Sequence, residues 1–123
     1  MDSLKALAII PVYNEERHID SLLSRFPKDV CDLIIINDAS TDNTPQLIKK
    51  YPFPIIHHPQ RTGVGKCLQD AIRYGIDNNY NTIVTLAGNG KDDPSEIPNL
   101  LNAVREGADY VQGSRFLKGG GME

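Results

Sequence analysis

With 123 residues, 40% hydrophobic and 24% charged at a net charge of −3, the chain suits one domain with a real core and carries no basic field for nucleic acid. Cys31 and Cys67 lack metal-type spacing and are expected to be reduced thiols, as inside a cell. The longest apolar stretch, 6–10, is too short to span a bilayer, and Asp2, Ser3 and Lys5 are too polar for a signal peptide, so a soluble cytoplasmic domain is expected.

Residues 6–10 form a continuous apolar run ended by Pro11, as in a strand buried on both faces. Asn14 then stands where a helix N-cap belongs, with Glu15 and Glu16 placed for the first turn. Ile19, Leu22, Leu23 and Phe26 follow as one helical stripe. Residues 33–36 read as a second buried strand. Thr44 and Pro45 open a short helix toward Lys50, and a third strand is expected over 54–57.

A longer helix should then present Val64, Leu68, Ala71, Ile72 and Ile76 on its apolar side, before a fourth strand at 83–86. Asp93, Pro94 and Glu96 have the N-cap, N1 and N3 pattern of a helix start, and Ile97, Leu100, Leu101 and Val104 continue it. A last strand is expected over 110–113, ahead of a glycine-rich end at 119–121. Strands alternating with helices predict an α/β fold, a mostly parallel sheet covered by helices on both faces.

Chemistry-bearing residues gather where strands end. Tyr13 and Glu15 follow strand one, and could stack a base and accept from ribose or base N–H groups. Asp38 lies one step past strand two, where a carboxylate could accept the imino N–H of uracil or guanine. Ser40, Thr41 and Asp42 are expected to cap backbone N–H groups at that turn. Gly63, Gly65 and Lys66 form a glycine loop that lets backbone approach a ligand.

That loop is not a P-loop, because position 60 is glutamine and Cys67 follows Lys66. Nor is it a dinucleotide fingerprint, since it follows the third strand and lacks the third glycine, which argues against a nicotinamide oxidoreductase. His57 and His58 are neighbours that face opposite ways on a strand, and His18 falls on the polar side of a helix. Metal binding by the histidines is therefore not expected.

Taken together, the segments 10–15, 36–44, 63–66, 93–94 and 113–116 resemble the family 2 glycosyltransferases of the GT-A fold, a Rossmann-like nucleotide-binding architecture. The likeness is greatest to the dolichol-phosphate (polyprenyl-phosphate) mannosyl- and glucosyltransferase branch. It covers nearly the whole chain, so residues 1–123 are expected to be the nucleotide-sugar-binding part of a longer transferase domain.

The resemblance implies inverting transfer of a hexose from a UDP- or GDP-sugar to an acceptor such as a polyprenyl phosphate at the membrane surface, where the full-length protein would be peripheral. It places Pro11, Tyr13 and Glu15 around the nucleoside, Asp38 on the base, Gly63 and Lys66 beside it, and Arg115 near the donor phosphates. The aspartates that hold Mg²⁺ or Mn²⁺ in the family correspond to Ala87 and Asn89 here, so metal use is in doubt. Asn89 keeps at most one neutral carbonyl ligand. Asp92 and Asp93 are substitute candidates, with Asp93 expected to be a helix cap, and Lys91 is an alternative charge for the diphosphate. No general base is assignable. A binding or regulatory module without catalysis is the competing reading, and homodimerisation is left open.

Overall fold

The computed structural model describes residues 5–88 and 93–105, with side chains at 104 and 105 excepted. The strand expected over 110–113, together with Asn89, Lys91, Asp92 and Arg115, lies outside the described residues.

The elements in chain order are β1 (Ala6–Val12), α1 (Ile19–Ser24), β2 (Asp32–Asn37), α2 (Thr44–Ile48), β3 (Ile55–His57), α3 (Val64–Asp77), β4 (Thr82–Thr85), a 3-10 turn (Pro94–Glu96) and α4 (Ile97–Arg105). Four parallel strands lie in the order β3-β2-β1-β4. The chain steps outward from β1 to β3 and then returns to the other side of β1. Such a reversal opens a crevice at the carboxyl ends of the strands, where open α/β sheets take ligands.

The unbroken apolar run of β1 is explained by two cores. Ala6, Ala8, Ile10 and Val12 point into the layer with α1, α2 and α4, against Leu22, Leu33, Ile35, Ile48 and Leu100. Leu7 and Ile9 point the other way, onto Cys67 and Ala71 of α3. Alternate residues thus serve opposite faces and both must be apolar.

Two local expectations are corrected. Helix α1 begins at Ile19, not after Asn14; Asn14 takes a left-handed φ of 52° and its side chain is used elsewhere. On α3 the sheet-facing line is Cys67, Ala71 and Gly75, while Val64, Ile72 and Ile76 are exposed. The reason is steric: a Cβ on Gly75 would lie 3.0 Å from Ile83 Cδ1 and 3.4 Å from Leu7 Cδ2. Only small side chains let this helix lie so close to the sheet, so the bulky residues turn outward.

Among the described residues, no helix is long and apolar enough to cross a membrane.

Candidate nucleotide-binding site

The tips of β1 and β2 are clasped side by side. Asn14 Oδ1 accepts the N–H groups of Thr41 at 2.7 Å and Asp42 at 3.3 Å, while Asn14 N–H donates to Ser40 Oγ at 3.0 Å. Glu15 N–H donates to Thr44 Oγ1 at 2.9 Å, and the Asn43 N–H returns to Glu16 Oε1 at 3.0 Å. Thr44 is fully buried to make its bond. Ser40 and Thr41, expected to cap their own turn, therefore serve the β1 tip. Asp42 does both, taking Thr44 N–H on one oxygen and Glu16 N–H on the other.

Beside this clasp lies a pocket of about 180 Å³ lined by Pro11, Val12, Tyr13, Glu15, Asp38, Arg61, Val64 and Cys67. The Arg61 guanidinium sits 3.8 Å from the centre of the Tyr13 ring, a cation–π contact across the pocket. Burial raises the Glu15 carboxyl above its usual range, against the opposing charge of His18. On the far side, Gly88 packs so close that a Cβ there would lie 3.0 Å from Val12 Cγ1 and 3.4 Å from Glu15 Cγ. The end of the β4 loop thereby meets the end of β1.

Asp38 is the most constrained group in the pocket, only 4% exposed. Its Oδ1 accepts Thr62 N–H and Thr62 O–H, both at 2.9 Å, and His58 Nδ1 at 2.8 Å. Its Oδ2 accepts Gly63 N–H at 2.8 Å and lies 4.0 Å from Arg61 Nε. Burial alone would push this carboxyl up, but the bonds from His58, Thr62 and Gly63 outweigh it and hold it far below the usual carboxylate range. Gly63 can donate in this way because it holds φ 95°, a conformation costly for a residue with a Cβ.

His58 continues the network. Its Nε2 meets Asp70 Oδ2 at 2.8 Å, and Lys66 pairs with Asp70 at 3.2 Å from one helical turn away. Lys66 is thus tied to the helix beside the pocket and is not among the groups lining it. His57 faces away, as the strand alternation requires, and its Nδ1 accepts the Asn37 amide. Two residues that sequence reasoning passed over, His58 and Arg61, thus hold the pocket together. The available signal was their position one and four residues past β3, level with Asp38 in the neighbouring strand.

Asp38, His58 and Cys67 bring ligand-type atoms within 4.8 Å of one another. Their chemistry suits a hydrogen-bond network better than a metal. Every oxygen of Asp38 already accepts an N–H, and the Cys67 thiol is pushed up to about 11, chiefly by burial. At the β4 tip, Ala87 offers no side-chain oxygen. Asp93 Oδ1 caps Ser95 N–H at 3.0 Å and pairs with Arg25 at 2.9 Å, which commits it to the start of α4. The described residues at this tip do not fit a divalent cation, and no step below is routed through one.

A parallel sheet with a reversal beside β1 and a polar pocket at the strand ends defines an α/β domain of the GT-A fold. The chain belongs to glycosyl transferase family 2, which its residues 7–122 match. It is 32% identical to the undecaprenyl-phosphate mannosyltransferase of Micrococcus luteus, covering 97% of this chain and 51% of that protein. It is 29% identical to the dolichol-phosphate mannosyltransferase of Pyrococcus furiosus, covering 98% of this chain and 36% of that one. The chain therefore spans about half or less of the length of these relatives. Among solved structures, the glucosyl-3-phosphoglycerate synthase of Mycobacterium tuberculosis, in complex with Mn²⁺, UDP-glucose and phosphoglyceric acid, superposes with a TM-score of 0.68. At 23% identity over 85% of this chain and 40% of that one, it shares the fold.

Proposed function

We propose that this chain is the donor-binding half of an inverting hexosyltransferase that takes a UDP- or GDP-sugar and delivers the sugar to a polyprenyl phosphate. The observation that carries the reading is the shared pocket of Tyr13, Glu15 and Asp38 at the carboxyl end of β1 and β2. Among the described residues, Asp38 Oδ2 accepts the Gly63 N–H, which leaves it a lone pair for an imino N–H. Uracil N3–H and guanine N1–H both present such a donor. Tyr13 supplies a ring for the base once Arg61 swings aside, and the released guanidinium is then a cation for the diphosphate.

In the transfer, an oxygen of the acceptor phosphate attacks the anomeric carbon. The bond to the diphosphate breaks, and the nucleoside diphosphate leaves with the electron pair. The acceptor is already ionised at neutral pH and so calls for no strong general base. Names of the relatives support the polyprenyl phosphate acceptor. Lys91 and Arg115 are proposed to face the leaving diphosphate, with Asn89 beside them. A cytoplasmic location with the acceptor reached at the membrane surface belongs to the same proposal.

Because Ala87 and Asn89 replace carboxylates, nucleotide-sugar binding is expected to depend only weakly on metal. Titration calorimetry with UDP-glucose and GDP-mannose, in EDTA and in Mn²⁺, tests this: affinities within about threefold agree with it, since that is under about 1 kcal/mol. A large loss in EDTA contradicts the Lys91 role. The second reading, a binding module without catalysis, rests on Ala87. Sugar transfer by the full-length protein to a polyprenyl phosphate, beside an Asn89→Asp variant, decides between them.

A further inference from the structure

The Asp38–His58–Asp70 chain is more elaborate than holding one loop requires. An ionised carboxylate only accepts hydrogen bonds. His58 meets Asp38 Oδ1 through Nδ1 and Asp70 Oδ2 through Nε2, each at 2.8 Å, so both ring nitrogens must carry hydrogen to satisfy both partners. The imidazolium is nearly enclosed, its side chain 8% exposed, between a buried carboxylate and a half-buried one. Thr62 Oγ1 stands 3.0 Å from Nδ1, but it donates to Asp38 and cannot replace the ring.

We infer that His58 is a positioning residue for the nucleotide: its doubly protonated ring bridges Asp38 and Asp70 and aims the Asp38 carboxylate at the base, so affinity falls when the ring loses a proton. This rests on the functional reading above. A neutral ring has one N–H and can serve only one of the two carboxylates. Either Asp38 loses a donor and turns within the pocket, or Asp70 is released and the start of α3, with Lys66, loosens around it.

The groups facing His58 set the direction. Asp38 lies after β2; Arg61 and Thr62 come from the loop; Lys66, Cys67 and Asp70 come from α3. His57, next in the chain, is turned to Asn37. The hydrogen bond to Asp38 raises the His58 pKa, burial lowers it, and Asp70 raises it again, with a net rise above 6.5. The bridge therefore persists to higher pH than a free imidazolium would and opens as pH rises through the raised value.

The test is titration calorimetry of the wild-type chain with UDP-glucose and GDP-mannose from about pH 5.5 to about pH 8.5, the range in which a histidine titrates. Their diphosphates are diesters and do not change charge there. The wild type is expected to lose about tenfold in affinity on the alkaline side, the scale of one hydrogen bond to a charged group. His58→Gln keeps a donor that does not titrate, and its weaker affinity should be flat with pH. Asp70→Asn removes one of the stabilising carboxylates, so its loss of affinity should set in at a lower pH than in the wild type. These two variants keep the test readable if His58→Ala fails to fold. Wild-type affinity that is flat with pH, or a His58→Gln profile that still follows the wild type, overturns the role of His58 alone. Failure of the wild type to bind either sugar nucleotide at any pH overturns the functional reading and this role with it.

Discussion

The tips of β2 and β4 flank the same end of the sheet, and they are built in opposite ways. At the β2 tip, Asn37 and Asp38 are buried polar groups, 5% and 4% exposed, with hydrogen bonds to β3 and the glycine loop and, through His58, to Asp70 of α3. At the β4 tip, Leu86 is buried and Gly88 packs on Val12, an apolar close approach with no carboxylate as far as that residue. The polar tip is rigid before any ligand arrives, because an unpaired buried carboxylate would be costly and every oxygen is paired. Under the proposed function, it is the part prepared for the base. The β4 tip only shapes the wall of the crevice. The two tips thus differ in kind: one offers a paired carboxylate to the crevice and the other an apolar wall.

Breaking the polar tip should have the largest effect. Asp38→Ala strips His58, Thr62 and Gly63 of their common acceptor. It is expected to lower stability by about 3 kcal/mol in urea unfolding, as for other broken buried pairs, and to abolish sugar-nucleotide binding. A loss below about 1 kcal/mol would mean the network is loosely coupled to the fold.

Next comes the clasp that joins this tip to β1. Thr44→Val keeps the shape but removes the oxygen that accepts Glu15 N–H, leaving that half-buried donor unpaired. A loss of about 2 kcal/mol in thermal unfolding is expected. Binding should weaken too, since Glu15 is released. Unchanged binding would separate Glu15 from the ligand.

The smallest effect sharpens the comparison by pH. His58 has a folded pKa raised above 6.5, so its contribution to stability is complete below 6.5 and is lost as pH rises through the raised value. Asp38 and Asp70 are shifted down, so their contribution is present above 3.8 and is lost as pH falls through their lowered values. Urea midpoints should therefore decline on both sides of a plateau between about pH 4 and about pH 6.5. His58→Gln should erase the alkaline decline and keep the acid one. An alkaline decline that survives in His58→Gln must come from another group.

Much of the fold was legible in the sequence because it depends on burial, which leaves long apolar runs. β1, β2 and α4 are such cases: residues enclosed on both faces, or along one stripe, have little freedom in composition. The face of α3 was misread because Cys67, Ala71 and Gly75 carry their signal in small size, whereas Ile72 and Ile76 carry bulk without burial. Asn14 was misplaced for a related reason. Its amide suits a helix cap and a strand-tip clasp equally well, and only the partner across the gap, 27 residues away at Thr41, selects the clasp.

The site divides in the same way. Asp38 and Tyr13 stand out because a carboxylate and a ring at strand ends are chemically conspicuous. His58 did not, since its importance lies in contacts with Asp38 and Asp70, 20 and 12 residues away. Pairings of that kind are set by the register of β2 with β3 and by the angle at which α3 returns.

The most direct test is an amide NMR titration of the wild-type chain with UDP-glucose and GDP-mannose. One of the two should shift the Thr62 and Gly63 amides, which donate to Asp38, together with those of Tyr13 and Glu15. Shifts confined to the opposite end of the sheet, around Asp32, Phe53 and Tyr80, would contradict a nucleotide site at the strand tips.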